Sequence, residues 1–396
     1  GEPVWETLYL AWRYVAYHRV KSAILIASIT LIVFLPIGLN VLVNQSAEEL
    51  TSRAEATPLL VGAKGSPLEL ALNSLYFDAE LPARTTHAEA RRIDDSGLAR
   101  SIPLYVRFRA RDLPIVGTTL DYFEFRGLRV AEGRQMAILG ECVLGAQAAR
   151  ILEVGPGGSV VSSPESVFDL AGVYPLKMKV VGVLERSFSP DDRAVFVDVK
   201  TAWVIEGLGH GHQDLARPEA VGAVLGREGN TIQANASLVQ YNEITDENRD
   251  SFHFHGALND FPITAAIAVP ADQKSGVILL GRYQGDEERS QIVRPAVVIR
   301  ELLDTVFTVQ SFVVAGIFLV SAATLATAVL VLLLSLRLRR REIETLVKIG
   351  GSRGRVAFLV LSEAVIVVVV GGTLAVGLTL LTHRFGSAAI RALLLS

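Results

Sequence analysis

Four of the seven histidines fall in two His-x-His pairs, His210-Gly-His212 and His253-Phe-His255. On an extended strand, residues i and i+2 share a face, so each pair can turn two imidazoles to one side. Neutral imidazole is a donor that suits zinc. Glu206, Asp214, Asp250 and Asp260 stand close in sequence as further oxygen donors. His210, His212, His253 and His255 are therefore candidate metal ligands, with zinc as the ion. The same pattern also fits solvated polar histidines flanked by glycine, because closeness in sequence does not bring the two pairs together.

No pattern in the sequence supports hydrolytic chemistry. There is no GxxxxGK[ST] loop to cradle nucleotide phosphates. Gly62-Ala63-Lys64-Gly65-Ser66 is glycine-rich but wrongly spaced. HExxH does not occur, and the GxSxG string Gly350-Gly351-Ser352-Arg353-Gly354 falls in the basic stretch between two apolar runs, without the strand-to-helix turn a nucleophile elbow needs. The chain reads as non-catalytic, with no cofactor of its own beyond zinc, and any ATP is bound and hydrolysed by a partner. The one cysteine, Cys142, allows neither an internal disulfide nor a cysteine-based metal framework. A net charge of -3, without a basic block interleaved with aromatics, excludes nucleic acid as a partner.

The elements that would position these residues include membrane spans. The chain is 50% hydrophobic, with a mean hydropathy of +0.39. Crossing a bilayer takes about 20 apolar residues, and residues 22–43, 306–336 and 357–382 each supply such a run. The third contains Glu363, which reads either as an ion or proton relay or as a helix–helix hydrogen bond near the cytoplasmic end. Arg13, Arg19 and Lys21 precede the first run. Arg337, Arg339, Arg340, Arg341, Lys348, Arg353 and Arg355 separate the second from the third. Short positive segments stay cytoplasmic, which places 44–305 outside and 337–356 inside. Residues 1–21, with Trp5, Trp12, Tyr14 and Tyr17 suited to the headgroup level, predict an amphipathic helix on the cytoplasmic surface. Residues 383–396 are expected either in an outside loop or at the start of another span.

The outside region predicts a large α+β domain. Residues 115–122, 177–184, 194–199 and 263–269 read as strands, rich in β-branched residues and bounded by Pro and Gly. Residues 145–152 and 271–283 read as helices, and 291–299 as a strand running into the second span's helix. The stretch 206–262, rich in Gly, Asn, Asp and His, reads as an insertion with long loops.

The cytoplasmic loop reads RRREIETLVKIGGSRGRV at 339–356 and runs into AFLVLSEAVIVVVVGG. Its charges suit a topogenic loop. Its apolar edge of Leu346, Val347 and Ile349 suits a helix docked on a cytoplasmic partner. These stretches resemble the FtsX-type domain of MacB, LolC/LolE and FtsX permeases. GTTLDYFEFRGLRVAEGR at 117–134 and VVGVLERSFSPDDRAVFVDVKTAW at 180–203 resemble the periplasmic core domain of MacB-like permeases. The resemblance implies a transmembrane helical bundle, three spans visible and four expected, carrying a large α+β extracytoplasmic domain. It makes the loop a coupling helix on a cytoplasmic ABC ATPase, with Arg341, Glu342, Glu344, Leu346, Lys348 and Gly350 as coupling residues.

The resemblance also implies a bacterial inner-membrane permease working with a second permease copy and with a periplasmic binding protein or lipoprotein. Such a permease is expected to pass ATPase motion to its periplasmic domain. VGAKGSPLELALNSLYF at 61–77 and SFHFHGALNDFPITAAIAVPADQKSGVILLGRY at 251–283 resemble a subgroup found beside periplasmic zinc-binding proteins. That implies zinc-linked transport. Lipoprotein release, efflux and control of a cell-wall hydrolase are the alternative expectations.

Overall fold

The computed structural model describes residues 2–77, 80–163, 175–211, 224–228, 231–234, 242–285, 287–338, 341, 344–345, 348 and 353–394. The chain divides into two units, residues 1–51 with 301–396, and residues 52–300.

The first unit is helical. The helix Glu2–Tyr17 is followed, after His18, by the helix Arg19–Glu55. The helices Pro295–Leu338 and Arg353–Leu394 complete the long elements. Three of these four are long and apolar enough to cross a membrane. Their outer faces carry exposed Leu31, Leu35, Phe318, Leu319, Leu330, Val369 and Leu380, which suits lipid contact. Gly371 lets two helices approach closely: a Cβ there would meet Ile29 Cγ2 at 2.9 Å. The Thr30 hydroxyl crosses at this point and donates to the Gly371 carbonyl at 3.1 Å. Small residues commonly allow such contacts between membrane helices. Glu363 is buried.

The second unit is built on a mixed ten-stranded sheet. Its strands run in the order Ser290–Val293, Leu59–Ala63, Ala265–Pro270, Ala99–Ala110, Leu113–Thr118, Val195–Asp198, Glu141–Leu144, Lys177–Leu184 and Val130–Gly133, with Ser159–Val161 also pairing Lys177–Leu184. Ala99–Ala110 is long enough to join the two halves, pairing Ala265–Pro270 on one side and Leu113–Thr118 on the other. Helices pack on this sheet with local caps. Ser66 accepts from the Glu69 amide at 3.2 Å to open Pro67–Tyr76. Asp272 accepts from the Ser275 amide at 2.7 Å to open Gln273–Arg282. Such caps satisfy the amides that a helix start leaves unpaired. Trp203, Tyr105, Tyr122 and Phe196 are the largest fully buried side chains.

One boundary differs from expectation in kind. The strand expected over 115–122 ends at Thr118, and Asp121–Arg126 is a helix. Gly127 closes that helix at φ 66, in the left-handed region that glycine adopts without strain. Hydrophobic content alone cannot distinguish a buried strand from a short buried helix, and Tyr122 and Phe123 are core residues in either form.

Candidate metal centre

The helix Val199–Ile205 begins at Asp198, whose side chain accepts from the Lys200 amide at 2.9 Å. Its Trp203 is 1% exposed, and the indole N–H donates to the Pro262 carbonyl at 2.7 Å. Gly207, at φ 87, turns the chain out of the helix. The next strand, Gly209–Gly211, pairs antiparallel with Phe252–Phe254. Gly209 lies opposite Phe254, His210 opposite His253, and Gly211 opposite Phe252.

The alternation of residues gives this ribbon two different faces. A Cβ at Gly209 would meet the Phe254 ring at 2.6 Å, and one at Gly211 would overlap the Phe252 ring. The glycines therefore make room for the phenyl groups. Phe254 packs edge-on to Trp203, with ring centroids 6.4 Å apart, and also lies 5.9 Å from Phe261. The apolar face is thus anchored to the core.

The histidines gather together. Ring centroids are 5.0 Å apart for His210 and His253, 4.8 Å for His210 and His255, and 4.8 Å for His253 and His255. One ring nitrogen from each lies within 4.8 Å of the others. His210 and His253 are half-buried and His255 is exposed. His253 Nδ1 lies 2.9 Å from the Ser251 carbonyl. A carbonyl only accepts, so this contact puts the proton on Nδ1 and makes Nε2 the nitrogen that carries the lone pair, the tautomer of many metal-binding histidines.

Around a tetrahedral zinc, nitrogens at about 2.0–2.1 Å from the metal stand about 3.3 Å from one another. Contraction of the present triangle requires each donor to move by less than about 1 Å, within the reach of small side-chain rotations. Three imidazoles, with water in the fourth position, form a recognised zinc donor set.

The other candidates are distributed as follows. His212 and Asp214 lie outside the described residues. Glu206 is already engaged, accepting from Tyr105 at 2.6 Å and pairing with Arg84. Asp250 and Asp260 do not join the histidine group among the described residues. Arg341, Glu344 and Lys348 are helical and exposed, and their spacing places them on one helix face. Glu342, Leu346 and Gly350 lie outside the described residues.

A second polar cluster was not anticipated from sequence. Arg53, in the last turn of Arg19–Glu55, sends Nη1 to Asp191 Oδ2 at 2.6 Å and Nη2 to Asp191 Oδ1 at 2.9 Å. Nη2 also donates to the Tyr122 hydroxyl at 2.9 Å, and Nε donates to the Leu75 carbonyl. Tyr122 and Ser189 donate to the same carboxylate at 2.7 and 2.8 Å. The Arg53 and Asp191 side chains are only 9% and 2% exposed. Burial pushes Asp191 upward, but the charge of Arg53 and the hydrogen bonds of Arg53, Tyr122 and Ser189 outweigh it and hold the carboxyl below its ordinary range. Burial, reinforced by the Asp191 charge, pushes the Tyr122 hydroxyl up to about 12. An arginine near the end of a long apolar helix was the available sequence signal, but nothing local identified its partner.

A family model described as the MacB-like periplasmic core domain matches residues 22–241. No curated protein matches the chain. Among solved structures, the periplasmic region of MacB from Actinobacillus actinomycetemcomitans aligns over 65% of this chain and 98% of its own, at 11% identity and a TM-score of 0.35. The extracellular domain of the noncanonic ABC-type transporter YknZ from Gram-positive bacteria aligns over 59% of this chain and 98% of its own, at 13% identity and a TM-score of 0.32.

Proposed function

Because this chain belongs to the MacB-like periplasmic core domain family, we propose that it couples a separate cytoplasmic ATPase to an extracytoplasmic domain in zinc-linked transport. It is a membrane-embedded permease component of an ABC transporter. The finer reading is a non-catalytic subunit of the bacterial inner membrane, paired with a second permease copy and supplied by a periplasmic binding protein or lipoprotein.

The observation that carries the mechanical part is the Arg53 cluster. A helix of 37 residues is about 55 Å long at 1.5 Å per residue, well beyond the roughly 30 Å of a bilayer core. The helix of the first apolar run, with Pro36 inside it, continues without a break to an arginine held by Asp191, Tyr122 and the Leu75 carbonyl. A displacement of that helix is passed to the 189–193 segment through a fork of charge-assisted hydrogen bonds. The three gathered imidazoles support zinc as the cargo.

The test uses the full chain with its ATPase in proteoliposomes. Arg53→Lys keeps the charge and loses the planar fork. We expect normal insertion and ATPase binding, with substrate-stimulated ATP hydrolysis reduced at least several-fold. Unchanged stimulation overturns the mechanical reading. Zinc accumulation that is the same with and without the transporter overturns the cargo reading.

A further inference from the structure

We propose that His210, His253 and His255 bind one exchangeable transition-metal dication, zinc foremost, as a cross-link between the two ribbon strands, so that occupancy sets the rigidity of the ribbon. The choice of zinc rests on the zinc-linked reading above; the cross-link rests on the geometry alone.

The donor set restricts the ion. Among the described residues, the group contains three imidazoles and no carboxylate or thiol. Imidazole nitrogen suits zinc, copper and nickel. Calcium and magnesium require oxygen-rich shells, so neither is a ligand here. The three donors leave a fourth tetrahedral position open to water or to an incoming donor. The exposed ring of His255 gives that position access to solvent.

The ribbon is also built so that a bound ion would matter. It has three residue pairs, and an isolated two-stranded pairing is marginal in water. Two of its six positions are glycines, which lose the most conformational freedom on ordering. Its apolar face is held by Phe254 against Trp203 and Phe261. Its other face places His210 directly across from His253, with His255 just past the end of that strand. An ion on these three residues bonds one strand to the other. The ion is held by both strands only when they are paired, so occupancy favours the paired ribbon. The Ser251 carbonyl already fixes the tautomer of His253 for this role.

The site differs from a permanent structural metal. The domain has an extensive buried core of its own, so folding does not depend on the ion. The donors must contract before they ligate, and two rings are only half-buried. Binding is therefore reversible, as a site that receives and gives up an ion requires.

The test is zinc chloride titration of the full chain in detergent, after chelator treatment, followed calorimetrically and by hydrogen–deuterium exchange. Wild type is expected to take up one ion per chain through this site, and exchange at residues 209–211 and 252–254 is expected to slow on loading. Loss of a supporting contact beside a metal ligand alone costs about 10–100-fold in affinity. His253→Gln/His255→Gln should therefore lose at least about 100-fold and show no zinc-dependent slowing. His210→Gln, on the opposite strand, should weaken binding and abolish the slowing while leaving the apo melting temperature near wild type. Calcium and magnesium should change neither readout. No zinc binding by wild type, or equal binding by the double variant, overturns the site. Binding without slowed exchange overturns the cross-link. Binding with slowed exchange, but with zinc accumulation unchanged in the double variant, sustains this proposal and removes the zinc-transport reading.

Discussion

The Arg53 cluster and the histidine ribbon belong to the same domain but use polar groups in opposite ways. Around Arg53, a buried carboxylate receives four hydrogen bonds from Arg53, Tyr122 and Ser189. The charges lie within reach of one another, and little of either side chain meets water. Such a cluster is inert chemically and strong mechanically. On the ribbon, three imidazoles converge at half-exposed or exposed positions, and the Ser251 carbonyl lies against His253 Nδ1. Oppositely charged groups locked together in the interior hold a structure together, and convergent imidazoles near solvent suit the binding of an ion.

The strongest way to break the comparison is to leave a charge stranded in the first region. Arg53→Ala removes one partner of a buried ion pair, a change that typically costs about 3–5 kcal/mol. We expect a loss of that order in denaturant unfolding of the extracytoplasmic domain within the full chain. Arg53→Ala combined with Asp191→Asn should recover part of it, since no uncompensated carboxylate remains. A loss below about 1 kcal/mol for Arg53→Ala would mean that water reaches the cluster and screens the pair as at a surface.

A smaller effect is expected at the joint between ribbon and core. Trp203→Phe keeps a ring beside Phe254 and Phe261 but removes the donor to the Pro262 carbonyl. Leaving a buried acceptor unpaired costs about 1–3 kcal/mol. The fall should appear in thermal unfolding, with zinc affinity reduced less than stability. Gly211→Ala acts more locally. Its Cβ overlaps the Phe252 ring, which must tilt and disturb the pairing of His210 with His253. We expect about a tenfold loss of zinc affinity, or ~1.4 kcal/mol, with little change in the melting temperature of the apo protein. Equal affinity for Gly211→Ala and wild type would show that the ribbon pairing does not set the histidine geometry.

The two regions also differ in how far the sequence revealed them. The apolar runs, and the strand Lys177–Leu184, are local patterns that span length and β-branched content expose directly. The His-x-His spacing was visible for the same reason. The antiparallel pairing that brings His210 to His253 was not, because a strand's partner is chosen by contacts far along the chain. The phenylalanines at 252 and 254 hinted at a buried face, and the glycines at 209 and 211 are where such rings could lie. The Arg53–Asp191 pair spans 138 residues, and its meaning depends on Tyr122 and Ser189 arriving at the same point. The helix Asp121–Arg126, which presents Tyr122, was itself read as the end of a strand.

The weakest expected effect concerns His87, which also packs against Trp203. Its ring meets the indole edge-on at a centroid distance of 5.5 Å, and its Nδ1 is buried without a hydrogen-bond partner among the described residues. Burial comes first in holding this imidazole below its ordinary value; the charge of Arg91 adds to it, and the Asn259 hydrogen bond and Asp94 only partly oppose it. The fold therefore favours neutral His87. For a folded-state value depressed below the unfolded one, the unfolded chain binds more protons in the window between them. The contribution is fully present above the unfolded value of about 6.5 and is lost as pH falls from there through the folded value. Because the ring is only partly buried, solvent screening limits the effect to no more than about 1 kcal/mol. Melting temperatures of chelator-treated wild type and His87→Gln should thus draw together or cross as pH falls from 7.5 to 5.5. The three ribbon histidines are common to both proteins and cancel in the difference. A difference between the two melting curves that stays constant over this range would show that protonation of His87 is not linked to folding.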